Sequence, residues 1–311
     1  MNIKKKIDHI IDRIKFKINY CIANTVMKKY VDSKNNYFNI IEDEELVNKI
    51  VKEKKSFARF GDGELSLILT NKFNISFQDN SLQLNKKLKE TLNSDLENMI
   101  IGINRSFNDP SIYNKKVQKY CRAFNYMYRE KYKTIIPKNR IYGNSSITRF
   151  YIDYDHDNYN AAIQRVNNIK RIWNNRKILI VEGIHTRLGV GNDLFDNATK
   201  IRRILVPEKN AFTQLEKIKE EIIKRIAKDE LVLIAAGPTA TVLVYELAKM
   251  NIQSIDVGHI DIEYEWMKRK TKKRIAIEGK YVNEAKGKKY TETNIQDEKY
   301  KNSIISIIEL E

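Results

Sequence analysis

Ile178-Leu-Ile-Val-Glu182, Ile201-Arg-Arg-Ile-Leu-Val206, Leu231-Val-Leu-Ile-Ala235 and Gln253-Ser-Ile-Asp-Val257 are four short, largely apolar runs spaced along the second half of the chain. Runs of this length, rich in Ile and Val, read as strands with both faces buried. Between them, Ala211 to Ala227 and Thr239 to Met250 carry the spacing of helices. Strand alternating with helix predicts a Rossmann-like α/β domain, a mostly parallel sheet with helices on both faces. Upstream, Ser56 to Phe60, Met99 to Ile103 and Arg140 to Gly143 have strand character, and Glu42 to Lys54, Ser81 to Leu96 and Tyr113 to Tyr132 read as helices. The domain so outlined covers residues 41–270. A basic amphipathic helix and linker precede it at 1–40, and a Lys-rich extension follows at 271–311.

The 311 residues hold 57 Lys and Arg against 40 Asp and Glu, a formal net charge of +17. That charge admits phosphates, an anionic membrane or nucleic acid as partners. No recognition helix, zinc finger or interleaved aromatic and basic groove is visible, so no specific nucleic-acid partner is expected. No apolar run approaches the roughly 18 residues of a spanning helix. Lys4, Lys5, Lys6, Asp8, Asp12 and Arg13 interrupt any export-signal core, so a cytoplasmic protein is expected. Ile3, Ile7, Ile10, Ile11, Ile14, Ile18, Cys21, Ile22 and Met27 recur at helical spacing with Lys and Arg opposite. Such a helix over residues 2–31 suits peripheral contact with the inner face of a membrane, packing on the body, or a homodimer. Cys21 and Cys121 lack the spacing of a metal or redox pair and are expected to be reduced.

Four segments can carry chemistry. Arg59-Phe-Gly-Asp-Gly-Glu64 stands where a strand gives way to a helix, with Gly61 and Gly63 allowing close approach of a ligand. Asp62 and Glu64 can hold a hard divalent cation against a diphosphate, or simply start a helix. Glu182-Gly-Ile-His-Thr-Arg-Leu-Gly-Val-Gly-Asn-Asp193 follows a strand, and its backbone around Gly191 and Asn192, with Arg187, can cradle a phosphate or ribose. Leu194 occupies the third small position of a dinucleotide fingerprint, which disfavours a dehydrogenase. Gly237-Pro-Thr239 opens a helix whose free N–H groups suit a phosphate, and no Walker-type Lys accompanies it. Gly258-His-Ile-Asp-Ile-Glu-Tyr-Glu-Trp266 alternates ionisable with apolar residues, which predicts a bend at Gly258 and an edge carrying His259, Asp261 and Glu263. These can serve as metal ligands, a general base or partners for sugar hydroxyls.

As a set and in this order, the four segments resemble the glycosyltransferase family with the GT-D fold, formerly a domain of unknown function. The resemblance covers residues 45–267. It implies a nucleotide-diphosphate sugar donor, most often UDP-linked, and a divalent Mn²⁺ or Mg²⁺ served by Asp62 and Glu64. It further implies a hexose transferred to a glycan acceptor in cell-surface polysaccharide or glycoprotein synthesis. Arg59, Glu182 and Arg187 would lie near the donor's phosphates or ribose, Gly237, Pro238 and Thr239 against the nucleotide, and Asp193, His259, Asp261 and Glu263 at the donor sugar or acceptor. A nucleotide-dependent ligase or phosphotransferase on the same scaffold, and a nucleic-acid binder, are the alternative readings.

Overall fold

The computed structural model describes residues 3–33, 37–70, 75–155, 158–282 and 297–310. The first half holds helices α1 (Ile3–Asn24), α2 (Lys28–Ser33) and α3 (Asp43–Lys52), strands β1 (Asn39–Ile40) and β2 (Ser56–Arg59), and helices α4 (Asp62–Leu69) and α5 (Leu82–Leu92). It continues through β3 (Met99–Ile103), α6 (Lys115–Lys133), β4 (Ile141–Asn144) and α7 (Tyr159–Lys170). The second half runs β5 (Lys177–Gly183), β6 (Lys200–Val206), α8 (Leu215–Arg225), β7 (Leu231–Ala235), α9 (Pro238–Ala248), β8 (Ser254–Asp256), α10 (Ile260–Lys268), α11 (Glu298–Ser303) and β9 (Ile304–Ile307).

The nine strands form one sheet in the order β1-β4-β3-β2-β8-β7-β5-β6-β9, and every pairing in it is parallel. Side chains on a strand alternate between faces, and the burial follows that rule. Leu179 and Val181 enter one core with Val232, Ile234 and helices α4, α5, α8 and α9. Ile178 and Ile180 enter the other with Leu231, Leu233 and helices α3, α7 and α10. Two buried faces explain why these strands are apolar throughout. Because all strands point the same way, all their C-terminal ends share one edge, where open sheets of this kind bind ligands.

Three expectations change. The proposed linker supplies Phe38, which is buried, and β1, which pairs with β4; residues 34–36 lie outside the described residues. The Lys-rich C-terminal segment supplies the last strand of the sheet, β9. Gly258 to Trp266 is a helix after the bend, not an edge strand. The alternating pattern misled because Ile260 to Met267 is buried all round, so each polar side chain meets an internal partner instead of solvent. At the N-terminus, α1 packs on α6 through Phe16 against Tyr120 and through Asn24, which bonds to Lys119 and Arg122. Ile14 and Ile18 remain exposed, and the stripe from Ile3 to Ile11 lies outside the described side chains. No described helix is long and apolar enough to cross a membrane.

Candidate functional site

Arg59 ends β2 and binds inward. Its Nη2 donates to Asp256 Oδ1 of β8 at 2.9 Å, and its Nη1 donates to Thr148 Oγ1 at 2.6 Å and to the Ser145 carbonyl at 3.0 Å. Thr241 Oγ1 of α9 donates to the Arg59 carbonyl at 2.9 Å. One side chain thus ties β2, β8 and the loop after β4, while its backbone anchors α9. Removing one partner of a buried ion pair costs about 3–5 kcal/mol. The geometry assigns Arg59 as a brace. Gly258 stands at φ +46°, where a Cβ would fall 1.9 Å from Arg59 Nη2, so both its backbone angle and its empty side demand glycine.

Asp62 and Glu64 open α4 beside this brace. Glu64 Oε2 accepts the Gly61 N–H at 3.0 Å, the reciprocal half of a capping box, so the helix-start reading of this acid holds. That bond occupies one oxygen and leaves Glu64 Oε1 for another partner. Burial pushes the Glu64 carboxyl up to about 7; the Asp256 and Asp62 charges add to the shift and Arg59 opposes it. Asp62 is exposed. Among the described residues no three His, Cys, Asp or Glu side chains converge as a metal-binding set. An exposed carboxylate beside a second one whose charge is unfavourable suits a hard cation that completes its shell with a ligand's phosphate oxygens. The residues fit a shared cation, not a closed protein cage.

Gly237 turns β7 into α9 at φ +56°, a conformation open to glycine, and a Cβ there would meet Phe77 at 2.3 Å. Pro238 occupies the first helical position, where its missing N–H costs nothing. The Thr239 hydroxyl is fully buried and has no hydrogen-bond partner among the described residues. It stands in the first turn of α9, where free N–H groups favour an anion.

The loop after β5 is held from within. Glu182 is fully buried; Oε1 accepts from Arg203 Nη1 at 2.5 Å and Oε2 from the Leu188 N–H at 2.6 Å. It anchors the loop from within. Arg187, at φ +54°, donates Nη1 to the Gly279 carbonyl at 2.8 Å. Gly191 has open space on the side where a side chain would stand. Asn192 Nδ2 reaches Asp261 Oδ1 and Glu265 Oε1, each at 2.7 Å. The second Asp261 oxygen accepts from Lys280 Nζ at 2.6 Å, and Lys280 is itself 5% exposed.

Asp261 and Glu265, one helical turn apart on α10, are therefore closed off by Asn192 and Lys280. Glu263 points to another side of α10: Oε2 accepts from the Tyr151 and Ile152 N–H groups at 3.0 and 2.9 Å, and burial pushes its carboxyl up to about 8. The expected row of His259, Asp261 and Glu263 along one edge does not form, because helical spacing sends them to different neighbours. His259 stays partly exposed as the N-cap of α10. Asp193 is half-exposed and pairs with Lys268 at 3.2 Å on the outside of α10. Sequence reasoning missed Asp256, Arg203, Thr241 and Lys280. The signal at Asp256 was a charge ending an apolar run; at Lys280 there was none, since it stands among many lysines.

A family model described as "Glycosyltransferase GT-D fold" matches residues 57–285. The glycosyltransferase GlyD of Streptococcus pneumoniae is 34% identical over 266 residues, 85% of this chain and 32% of that protein. The probable glycosyl transferase Gly of Streptococcus gordonii is 33% identical over 246 residues, 79% of this chain and 35% of that protein. The chain spans about a third of the length of these curated relatives. A solved domain of unknown function 1792, described as having a distinct glycosyltransferase fold, superposes with a TM-score of 0.79 at 30% identity, covering 90% of this chain and 98% of that one. A DUF1792 glycosyltransferase from Streptococcus sanguinis superposes at 0.77 with 31% identity, covering 87% and 99%. With the family match spanning residues 57–285, which hold the Arg59 brace, the Asp62 and Glu64 pair and the α9 turn, the chain belongs to the glycosyltransferase family of GT-D fold.

Proposed function

We propose that this protein transfers a hexose from a UDP-linked donor to a glycan acceptor of a surface polysaccharide or glycoprotein, with Mn²⁺ or Mg²⁺ shared between Asp62, Glu64 and the donor. The observation that carries this reading is the meeting, at one sheet edge, of two acids and the amide-rich start of α9, where the Thr239 hydroxyl lacks an internal partner. The Arg59 brace fixes their spacing, since it bonds to Asp256 and holds Thr241 through its carbonyl. Acids alone would repel a diphosphate, and a helix N-terminus alone would not select a metal-bound one. Together they suit a pyrophosphate carrying a divalent cation.

When bound, the cation supplies Lewis-acid neutralisation of the charge that grows on the departing nucleoside diphosphate. The chain's own part is positional. The first-turn amides of α9 and the Thr239 hydroxyl hold the anion, and Arg59 and Asp256 keep α4 and α9 at fixed separation so that little reorganisation accompanies the transfer. Asp261 and Glu263 are committed to internal partners, so this reading gives them the support of α10 and not a proton transfer. The test is a thermal-shift series with UDP, UDP-glucose and ATP, each with and without Mn²⁺. A Mn²⁺-dependent stabilisation by the UDP compounds is expected. Stabilisation by ATP alone would favour a ligase or phosphotransferase, and tight salt-resistant binding of generic RNA or DNA would favour the nucleic-acid reading.

A further inference from the structure

A second feature of the same sheet edge is not used by the donor site. Where β5, β6 and β9 end, a cavity of about 390 Å³ opens. Ile184, Val206 and Ile308 give it an apolar lining that the half-exposed Leu310 extends towards solvent, and His185 and Glu208 add polar groups. His185 Nε2 lies 3.6 Å from Glu208 Oε2, and both side chains keep partial exposure. A volume of this order falls within the range of small-ligand sites.

The cavity adjoins the α9 turn through bonded neighbours. Lys209 lines it, the next residue Asn210 donates its N–H to the Phe77 carbonyl at 2.9 Å, and the Phe77 ring packs on Gly237. In the sheet order, β5 is the neighbour of β7 and β6 the next strand out. At roughly 5 Å per strand, the lining at Glu208 sits about 10 Å from the end of β7. The acids Asp62 and Glu64 lie on the other side, at the end of β2.

We infer that this cavity is the acceptor saccharide subsite, with Glu208 and His185 binding ring hydroxyls and the aliphatic lining taking the apolar C–H face of the sugar. The inference rests on the donor reading above, which supplies the adjacent diphosphate. The chemistry of the lining favours a saccharide over the donor's nucleobase. A flat base is usually gripped by aromatic or planar groups, whereas His185 is the one aromatic ring on the lining among the described residues, and it lies beside Glu208. A pyranose presents an apolar face and a ring of hydroxyls, which matches an aliphatic lining edged by a carboxylate and an imidazole.

The experiment uses full-length protein labelled at Ile, Leu and Val methyl groups, loaded with Mn²⁺ and titrated separately with UDP and with methyl β-glucoside or methyl β-N-acetylglucosaminide. About 10 mM saccharide populates a site of millimolar Kd. Saccharide should move the Ile308 and Leu310 methyl signals, with UDP moving those near the α9 turn instead. UDP moving Ile308 and Leu310 would assign the cavity to the nucleoside and overturn the inference. Saccharide that moves no methyl of the lining would also overturn it. UDP that moves no signal anywhere would instead remove the donor reading, so the two failures are separable. Kinetically, Glu208→Gln should raise the acceptor KM about tenfold with the UDP-sugar KM unchanged, as expected for loss of one hydrogen bond to a charged group. Equal rises in both would point to a structural effect and count against the subsite.

Discussion

The carboxylates at the end of β2 and those on α10 are chemically alike and stand on the same edge of the sheet, yet they live in opposite circumstances. On α10, both oxygens of Asp261 are taken, by Asn192 and Lys280, while Glu263 accepts two backbone N–H groups at Oε2 and keeps Oε1 buried with no hydrogen-bond partner among the described residues. At the start of α4, Asp62 is exposed, and Glu64 spends one oxygen on the Gly61 amide while burial pushes it towards protonation. The α10 acids are turned into the protein, whereas Asp62 faces solvent. Density of acids therefore does not mark the site. What the proposed cation requires is an acid that the chain leaves exposed at the ligand-binding edge, as Asp62 is.

This contrast can be broken from the largest effect downward. Lys280→Met strands two buried carboxylates and should destabilise the fold by about 3–5 kcal/mol, read by urea denaturation. A loss under 1 kcal/mol, roughly the value of a surface pair, would mean the α10 cluster is solvated after all. Asp62→Ala should leave the denaturation midpoint near that of the parent but lower Mn²⁺-dependent transfer about a hundredfold, the scale of losing one electrostatic group at a developing charge. Equal transfer rates would end the shared-cation reading. Glu64→Gln, which keeps the Gly61 bond, should remove the metal dependence without loss of the cap.

Smaller effects test the two flanks. Thr239→Val should weaken UDP binding about tenfold by calorimetry while changing stability little, because the hydroxyl has no internal partner to lose. A loss of stability with intact UDP affinity would reverse that assignment. For Glu263, burial raises the folded carboxyl from 4.5 to about 8. The folded state then holds a proton that the unfolded chain releases, so stability is fully present below about pH 4.5 and is lost as pH rises through about 8. Glu263→Gln should flatten that slope and match the parent at acid pH. An unchanged slope would place the proton elsewhere.

Much of the fold was legible because apolar runs buried on both faces need no long-range information to be recognised. Ile178 to Val181 and Leu231 to Ile234 declare themselves by composition alone. The strands β1 and β9 did not, since two or four residues at a sheet edge carry too little pattern. The helix starts at Asp62 to Glu64 and Gly237 to Thr239 were legible, because glycines, acids and a proline cluster locally there. The site was misread at Gly258 to Trp266, where alternation at period two and a helix buried on every side give the same string of letters.

The sequence by itself determined an alternating α/β domain and the loops at the ends of β2, β5, β7 and β8, because hydrophobic period and turn residues act over a few neighbours. Only tertiary structure decided that Arg59 braces Asp256 across some two hundred positions, that Lys280 seals Asp261, and that Glu64 is left raised beside exposed Asp62. The reason is electrostatic. Whether a charge is spent or available depends on partners that the parallel sheet gathers from distant segments, and that gathering is not written near any one of them.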